Sequence, residues 1–426
     1  MSKSKYKRLT KEGFWIVVGQ IAMVAGSLAL LRTLTVYMLP DQYGQLALGL
    51  SIAGLVNQFV MGGITAAIGR FYSIAIEKND LSGYLSASLR IMGYATCVVL
   101  IISLILVVCL LGLGYSQWLS LALAAIVFSL LSGYNSSLSA IQNAARQRAI
   151  VAFHAGMDAW LKILLAVGML IYFGTSSALV VISYACSSLI TTVSQLFFLR
   201  STILKQQIHR ENRQQWLPQI WVYSLPFTTW GAFTWMQQIS DRWALQVFAT
   251  TNDVGHYAVL FQLGFIPISL ITGMAVSFLA PVLYERSGDA EDLIRNSHVH
   301  QLSWKITNLS LILTLVGFVI TLVLHEWIFC LLVAPEYWLS SYLLPWVVLA
   351  GGCFAAAQML ALKLMSEMKP SAMQVAKIVS ALIGTMLNIV GAAIAGIQGV
   401  VGALVIFSCI YLVWMMFLAK QLPRKA

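Results

Sequence analysis

The sequence predicts an all-α polytopic membrane protein, with about twelve transmembrane helices in two six-helix lobes around a central cavity. The first observation behind this fold class is composition. Of the 426 residues, 59% are hydrophobic and 10% are charged, whereas soluble domains average about 45–50% and about 25%. The second is that apolar residues form segments of about 20 residues, the length that a helix needs to cross a bilayer. The third is a likeness between the two halves of the chain.

Twelve apolar segments along the chain are each long enough to form one transmembrane helix. The connections between them are short, and none is large enough to form a soluble domain. The segments cover approximately residues 13–38, 45–68, 90–113, 117–141, 153–173, 177–199, 219–246, 254–280, 303–325, 340–362, 373–395 and 398–419.

The positive charges predict the orientation of these helices. Of the 26 Lys and Arg residues, 23 lie on one predicted side of the membrane. They are in the two tails, and in the connections and span ends between each even-numbered span and the next odd-numbered span. An excess of Lys and Arg marks cytoplasmic loops, so both termini are predicted to be cytoplasmic. Topology therefore accounts for the net charge of +11, and no nucleic-acid partner is predicted. Three cations remain inside predicted spans, namely Arg32, Lys162 and Arg242.

The two halves of the chain resemble each other at an offset of 211 residues, at which residues 43–47 align with residues 254–258. Six spans in each half would make the repeats parallel, and transporters built from such repeats bind their substrates between the halves, near the bilayer midplane. The predicted domains are an N-terminal lobe at 1–199, a basic cytoplasmic linker at 200–218 and a C-terminal lobe at 219–426.

Arg32 in the first span and Asp241-Arg242 in the seventh occupy corresponding places in the two halves. Ionisable residues inside a membrane usually face a water-filled cavity or a partner, and a guanidinium group can bind phosphate oxygens with two parallel hydrogen bonds. Two symmetric arginines at one cavity would suit a diphosphate. Two alternatives stay open: Arg32 extends to the membrane interface, and Asp241 with Arg242 holds an outer gate shut.

His154, Asp158 and Lys162 recur every four residues near the start of the fifth span, which places them on one helix face. One interpretation is an intramembrane cation beside an acid that is linked to a proton or another ion. The other is an i,i+4 ion pair that lowers its own cost of burial near the cytoplasmic interface. Apart from such proton or sodium coupling, no cofactor and no metal site is predicted.

Polar stripes on other spans mark either a hydrated lumen or a packing seam of small residues. Ser51, Gln58 and Thr65 recur every seven residues in the second span, and a similar stripe follows the fourth. In the seventh span, Thr228 and Gln238 share the helix face that ends in the arginine. For the seventh span we favour a lumen, and for the other two both interpretations stand. Gln58, Thr228 and Gln238 join the arginines as candidate substrate contacts.

The sequence carries none of the enzyme motifs that we sought. It has no Walker A loop and no HExxH, and no paired carboxylates in a sizeable exposed loop. The six cysteines are scattered without a CxxC, so no disulfide framework is predicted. The chain is therefore predicted not to be an enzyme. A membrane glycan polymerase or ligase is one further hypothesis, but such an enzyme would need a larger extracytoplasmic loop than this sequence has.

Five stretches carry a resemblance to a known family: Arg32, Leu39–Ala47, Gly62–Ile64, Arg70–Tyr72 and Ser240–Arg242. They resemble the bacterial polysaccharide flippases, a family of the multidrug/oligosaccharidyl-lipid/polysaccharide exporter superfamily. The resemblance covers the whole chain in topology and these stretches in sequence.

The resemblance implies a flippase in the bacterial inner membrane that moves a polyprenyl-diphosphate-linked oligosaccharide, such as an O-antigen unit of lipopolysaccharide, by alternating access. It implies a V-shaped fold of two lobes, with Arg32 and Arg242 holding the diphosphate or acidic sugars. The expected partners are this lipid-linked substrate, the bilayer and other polysaccharide-assembly membrane proteins. The alternative is a cation-coupled multidrug exporter of the same superfamily, with Asp158 or Asp241 as the coupling acid.

Overall fold

Helices make up nearly all of the chain in the computed structural model, which describes residues 3–204, 213–287, 293–366 and 370–420. A single helical stretch, Pro370–Lys420, is broken at Ala395 and Gly396, where the backbone torsions are not helical, and we count its two parts separately. The helices are α1 Lys3–Tyr37, α2 Pro40–Glu77, α3 Leu81–Gly112, α4 Leu119–Ala144, α5 Arg148–Phe173, α6 Ser177–Leu204, α7 Arg213–Phe248, α8 Thr251–Ser287, α9 Leu293–Leu332, α10 Leu344–Ser366, α11 370–394 and α12 397–420.

The twelve helices correspond one to one with the twelve predicted spans, which confirms the predicted all-α polytopic fold class. Among the described residues, ten helical segments are long and apolar enough to cross a membrane, and one of these, Val375–Lys420, includes the break between α11 and α12. The most apolar of them is α3, with a mean hydropathy of 3.0 over its best window.

The helices extend further than the apolar segments that predicted them. The second span was predicted to end at residue 68, yet α2 continues through Arg70 to Glu77, and α3 begins at Leu81. The connection between them is therefore residues 78–80. A helix can continue beyond its apolar segment because it satisfies its backbone hydrogen bonds internally and can leave the hydrocarbon layer without unwinding. Asp80 caps α3, since its Oδ1 accepts a hydrogen bond from the backbone N–H of Gly83 at 3.1 Å.

The chain forms two compact units. Unit 1 comprises Met1–Met38 and Gln45–Trp235, and unit 2 comprises Leu39–Gly44 and Met236–Ala426. The boundary lies inside α7, seventeen residues after the position at which the sequence predicted the C-terminal lobe to begin. The division into two functional six-helix lobes stays a prediction.

The second helices of the two halves match in length, and two connections match in form, which supports the internal repeat. Helix α2 has 38 residues and its counterpart α8 has 37. A 3-10 segment precedes the fourth helix of each half, at Ser116–Trp118 and Pro335–Leu343. The turn after the fifth helix has a glycine with positive φ in both halves, Gly174 at 90° and Gly396 at 53°.

In unit 1, the beginning of α7 packs onto the turn between α2 and α3. The indole Nε1 of Trp216 donates a hydrogen bond to Oδ2 of Asp80 at 2.6 Å, and the rings of Phe71 and Tyr84 contact the indole edge to face. Trp216 and Tyr84 are buried. This aromatic cluster fixes the first turns of α7 to unit 1.

Polar side chains join α2 to α4 in unit 1. Asn57 donates to the Ser132 hydroxyl at 3.0 Å, and the hydroxyls of Thr65 and Ser137 are 2.9 Å apart. Residues Asn57–Gly62 of α2 form a π-helical segment, so the seven-residue spacing of the predicted stripe does not follow one straight face. At Thr65 the stripe forms a packing contact, and for its other members both interpretations stand.

Unit 2 contains a close backbone crossing between the start of α2 and the start of α8, at Gly44 and Gly255. A Cβ atom on Gly44 would overlap the carbonyl oxygen of Thr251, and a Cβ atom on Gly255 would overlap that of Pro40. These two positions therefore require glycine, because any side chain would push the two backbones apart.

Candidate functional site

The acid of the predicted seventh-span site is buried in unit 2. Asp241 lies on α7 and is 2% exposed. Its Oδ2 accepts a hydrogen bond from the Tyr257 hydroxyl of α8 at 2.6 Å, and its Oδ1 accepts one from the backbone N–H of Arg242 at 2.6 Å. Both oxygens of the carboxylate therefore have donors, and the acid is held within the α7–α8 contact.

Arg242 points to a different part of α8. Its guanidinium Cζ lies 5.0 Å from the ring centroid of Phe261, which is a cation–π distance. Within the part of the chain that the structure describes, no carboxylate forms a salt bridge with this guanidinium, and its Nε is buried without a hydrogen-bond partner. A substrate role for this arginine stays a prediction.

Aromatic residues surround this part of unit 2. Tyr43 is buried and lies close enough to Arg242 to interact with it electrostatically. The ring centroid of Tyr43 is 6.0 Å from that of Tyr337, which is 5.6 Å from the ring of His256. The Ser340 hydroxyl lies 3.3 Å from Nδ1 of His256. A cation bordered by buried aromatic rings is partly desolvated, which strengthens its attraction for an anion.

Of the two other seventh-span candidates, the structure describes the side chain of one. Gln238 is exposed, and the side chain of Thr228 lies outside the described residues. Trp235, on the face predicted to line a lumen, donates from Nε1 to the backbone oxygen of Ser51 at 3.1 Å in unit 1. That part of the face is a packing contact, because an indole N–H removed from water must find an acceptor. For the rest of that helix face, the lumen interpretation stays a prediction.

The two candidates from the first and second spans lie in unit 1. Arg32 is half-buried in α1, five residues before the helix ends at Tyr37, and its backbone oxygen accepts a hydrogen bond from the Thr35 hydroxyl at 3.1 Å. Gln58 is half-buried in the π-helical segment of α2. Because Arg242 belongs to unit 2, a cavity shared by the two arginines stays a prediction.

The predicted i,i+4 pair of the fifth span is formed in unit 1. The Nζ atom of Lys162 lies 2.5 Å from Oδ2 of Asp158, and Ser187 of α6 donates to Oδ1 and to the backbone oxygen of Asp158, each at 3.0 Å. The side chains of Lys162 and Asp158 are 21% and 17% exposed, so both charges are largely withdrawn from solvent and neutralise each other.

Two aromatic rings complete the surroundings of Lys162. Its Nζ lies 5.5 Å from the ring centroid of Phe128 on α4 and 5.8 Å from that of Tyr184 on α6. The two rings contact each other edge to face at 5.8 Å. The ammonium group is therefore enclosed by residues from three helices.

His154 does not join this pair, although it shares a helix face with Asp158 and Lys162. It is 1% exposed. Its Nδ1 lies 2.8 Å from the backbone oxygen of Ile150, and its Nε2 lies 3.0 Å from the Ser194 hydroxyl of α6. Both ring nitrogens are thus engaged one helical turn or more away from the ion pair.

Sequence reasoning missed the polar side chains of α6 that hold these residues. Ser187 and Ser194 bond the fifth-span residues, and Gln195 donates from Nε2 to Asn135 and to Ser139 of α4, both at 2.8 Å. The sixth span has a readable signal, because its serines at 183, 187 and 194 and Thr191 follow helical spacing. That stripe was not used in predicting the site.

Lys363 has a role that the charge count did not predict. It was counted with the cations at cytoplasmic span ends, and it does lie in the last turns of α10, but its side chain is fully buried. Its Nζ donates to the backbone oxygen of Ala419 at 2.5 Å, one residue before α12 ends. A cation at a helix C-terminus satisfies a carbonyl that lacks an intrahelical partner.

Comparison with known proteins finds similarity in three dimensions. No protein-family model matches this chain, and no curated protein matches its sequence. The crystal structure of a mutant of the Vibrio cholerae MATE transporter VcmN is similar with a TM-score of 0.63 and 15% identity, over 97% of this chain and 96% of that one. The lipid II flippase MurJ in an inward closed conformation is similar with a TM-score of 0.67 and 14% identity, over 96% of this chain and 88% of MurJ.

A multidrug resistance MATE family transporter of the MOP superfamily, in an inward-facing conformation, is similar with a TM-score of 0.65 and 13% identity, over 95% of this chain and 97% of that one. This chain has the MATE and MurJ fold. The similarity extends over 95–97% of this chain.

Proposed function

We propose that this chain is a transporter of the MOP superfamily that flips a polyprenyl-diphosphate-linked oligosaccharide across the bacterial inner membrane by alternating access. The substrate is an O-antigen unit or a similar unit of a surface polysaccharide. The fold supports the transporter class, because MurJ is a lipid II flippase and the MATE proteins are transporters. The chain then acts as a carrier, with no catalytic residue of its own.

The bonding partners of the candidate charged residues are the observation that favours an anionic substrate. Asp158 is neutralised by Lys162, and Asp241 accepts two hydrogen bonds inside the α7–α8 contact. Arg242, by contrast, has no described carboxylate partner. A diphosphate or an acidic sugar therefore meets an available guanidinium, whereas a cation meets acids whose oxygens are already bonded.

The second candidate function is export of cationic drugs. Its support is the similarity to a multidrug resistance MATE family transporter, together with the partial exposure of Asp158. A cationic drug would have to displace Lys162 from Asp158 or Tyr257 from Asp241. Displacing either partner leaves a buried polar group unpaired, which costs about 1–3 kcal/mol.

A chromosomal deletion distinguishes the two functions. For the flippase, we expect loss of surface glycan and accumulation of lipid-linked oligosaccharide that faces the cytoplasm, both reversed by the wild-type chain. For the drug exporter, we expect normal surface glycan and increased susceptibility to a panel of cationic drugs. Normal glycan display in the deletion strain, with no accumulated intermediate, would exclude the flippase proposal.

The proposal also includes a cellular setting. The chain is placed in the inner membrane with both termini in the cytoplasm, where the substrate is assembled. A proton or sodium gradient supplies the energy, without a bound cofactor. Other polysaccharide-assembly membrane proteins are the proposed partners, because they consume the flipped unit on the far side.

A further inference from the structure

A carboxylate and two aromatic rings from three helices surround the Lys162 ammonium group, and we call this environment the Lys162 pocket. Asp158 supplies the negative charge, and Ser187 orients its carboxylate by donating to Oδ1. The rings of Phe128 and Tyr184 face the ammonium group from two other helices, at 5.5 and 5.8 Å. A carboxylate with two aromatic rings is the combination that recognises ammonium ions in ligand sites. All five residues belong to unit 1.

The pocket lies deep in the helical bundle of unit 1. Lys162 is fourteen residues from the beginning of α5 and eleven from its end, about 21 Å and about 16 Å along the helix axis. A lysine at a span end can extend to the membrane surface, but this one turns to Asp158 instead. A charge at this depth needs a neutralising partner, and each carboxylate oxygen of Asp158 already has one donor.

We propose that Lys162 is a tethered cation, which permanently occupies a pocket that would otherwise bind a soluble monovalent cation. The ligand class of the pocket is a small ammonium ion or an alkali cation. The acid of unit 1 therefore takes up no sodium ion during transport, and any coupling ion acts elsewhere in the chain. This inference concerns the pocket alone and holds for an anionic or a cationic transported substrate.

A simple ion pair that lowers its own burial cost would account for Asp158 and Lys162, but not for the other three residues. Ser187 of α6 bonds the carboxylate, and the rings of Tyr184 on α6 and Phe128 on α4 enclose the ammonium group itself. If Lys162 is shortened, the carboxylate, the hydroxyl and both rings remain. The space that the ammonium group leaves is then open to a cation of similar size.

The experiment measures thermal unfolding of the purified full-length chain in detergent as a function of added cation. The probes are ethylammonium chloride and sodium chloride, and N-methylglucamine chloride at equal ionic strength is the bulky control. In Lys162→Ala, we expect ethylammonium to raise Tm saturably, by about 1 °C at several times its Kd. In the wild type, we expect the three salts to act alike.

A double variant, Asp158→Asn with Lys162→Ala, is the matched control and should lose the response. Equal responses of Lys162→Ala to all three salts would overturn the proposal. If Lys162→Ala folds only when ethylammonium is added, that rescue supports it. If the variant cannot be purified under any condition, the wild type decides: stabilisation by sodium that Asp158→Asn abolishes overturns the proposal, and its absence supports it.

Discussion

Asp241 and Arg242 are adjacent in sequence but contact different side chains of α8. Successive residues of a helix point about 100° apart, so the acid reaches Tyr257 while the guanidinium lies over Phe261. The two side chains form no described salt bridge with each other. A single substitution at Asp241 or at Arg242 can therefore test that side chain separately.

Arg242 is expected to hold the substrate diphosphate through its planar fork. Loss of charge-assisted hydrogen bonds costs about 1.5–3 kcal/mol, so Arg242→Ala should lower the flipping rate about tenfold to a hundredfold. Arg242→Lys should recover only part of the rate, because an ammonium group lacks the bidentate geometry. Surface glycan, normalised to protein level, is the measurement. Arg90→Ala, at an exposed position beside Tyr94, is the control. Full display in both Arg242 variants would exclude a substrate role.

Tyr257 is expected to stabilise unit 2 through Asp241. Tyr257→Phe removes the donor to Oδ2 and leaves that oxygen buried, which should lower the free energy of unfolding by about 1–3 kcal/mol. Tm in detergent measures the effect. Tyr172→Phe provides the comparison, since Tyr172 is 84% exposed and should leave Tm unchanged. Equal Tm values for the two variants would contradict the role given to Tyr257.

The sequence predicted the partners of a residue only when they lie on the same helix. The pairing of Asp158 with Lys162 follows from i,i+4 spacing, and the structure confirms it. Ser187, Phe128 and Tyr184 could not be predicted, because lateral packing of α4, α5 and α6 brings them to Asp158 and Lys162 from positions 22 or more residues away in the sequence. Spacing along one helix carries no information about its neighbours.

At the scale of the helices, hydropathy predicted the number and order of the elements but not their ends. Each apolar segment lies within a helix or passes its end by at most four residues, because the hydrocarbon layer requires about 20 apolar residues. The ends differ because polar residues can continue a helix into water, as α2 does through Arg70. The sequence also did not predict the π-helical segment at Asn57–Gly62, since no residue type specifies such a segment.

The turns after the fifth helix of each half depend on glycine. Gly174 has φ 90° and ψ 173°, and Gly396 has φ 53° and ψ −128°, which are conformations that other residues adopt only with strain. Gly174→Ala and Gly396→Ala should each destabilise the chain by about 1–3 kcal/mol. Gly93→Ala is the control, because Gly93 lies inside α3 with nothing within 4 Å of an added Cβ; this variant should be neutral or stabilising. Chemical denaturation measures all three, and a neutral effect at both turns would contradict the expectation.

At the scale of the whole molecule, the distribution of charge predicts an orientation that can be measured. The basic residues predict that one side is cytoplasmic, and the connection between α5 and α6, which contains Gly174, is predicted to lie on the other. A fluorescent protein fused to the C-terminus should therefore fold and fluoresce. Alkaline phosphatase inserted after Gly174 should be active, and at the C-terminus it should be inactive. The reverse pattern of activities would show that the orientation is wrong.

The approach of Gly44 and Gly255 couples two distant positions energetically. A Cβ atom at either one meets a carbonyl oxygen across the same crossing, so the first alanine forces the two backbones apart, and the second enters space that is already open. The double variant should therefore lose less stability than the sum of the single variants, a non-additivity that a double-mutant cycle measures. In a library that randomises both positions, glycine at one position should be favoured chiefly when the other is also glycine.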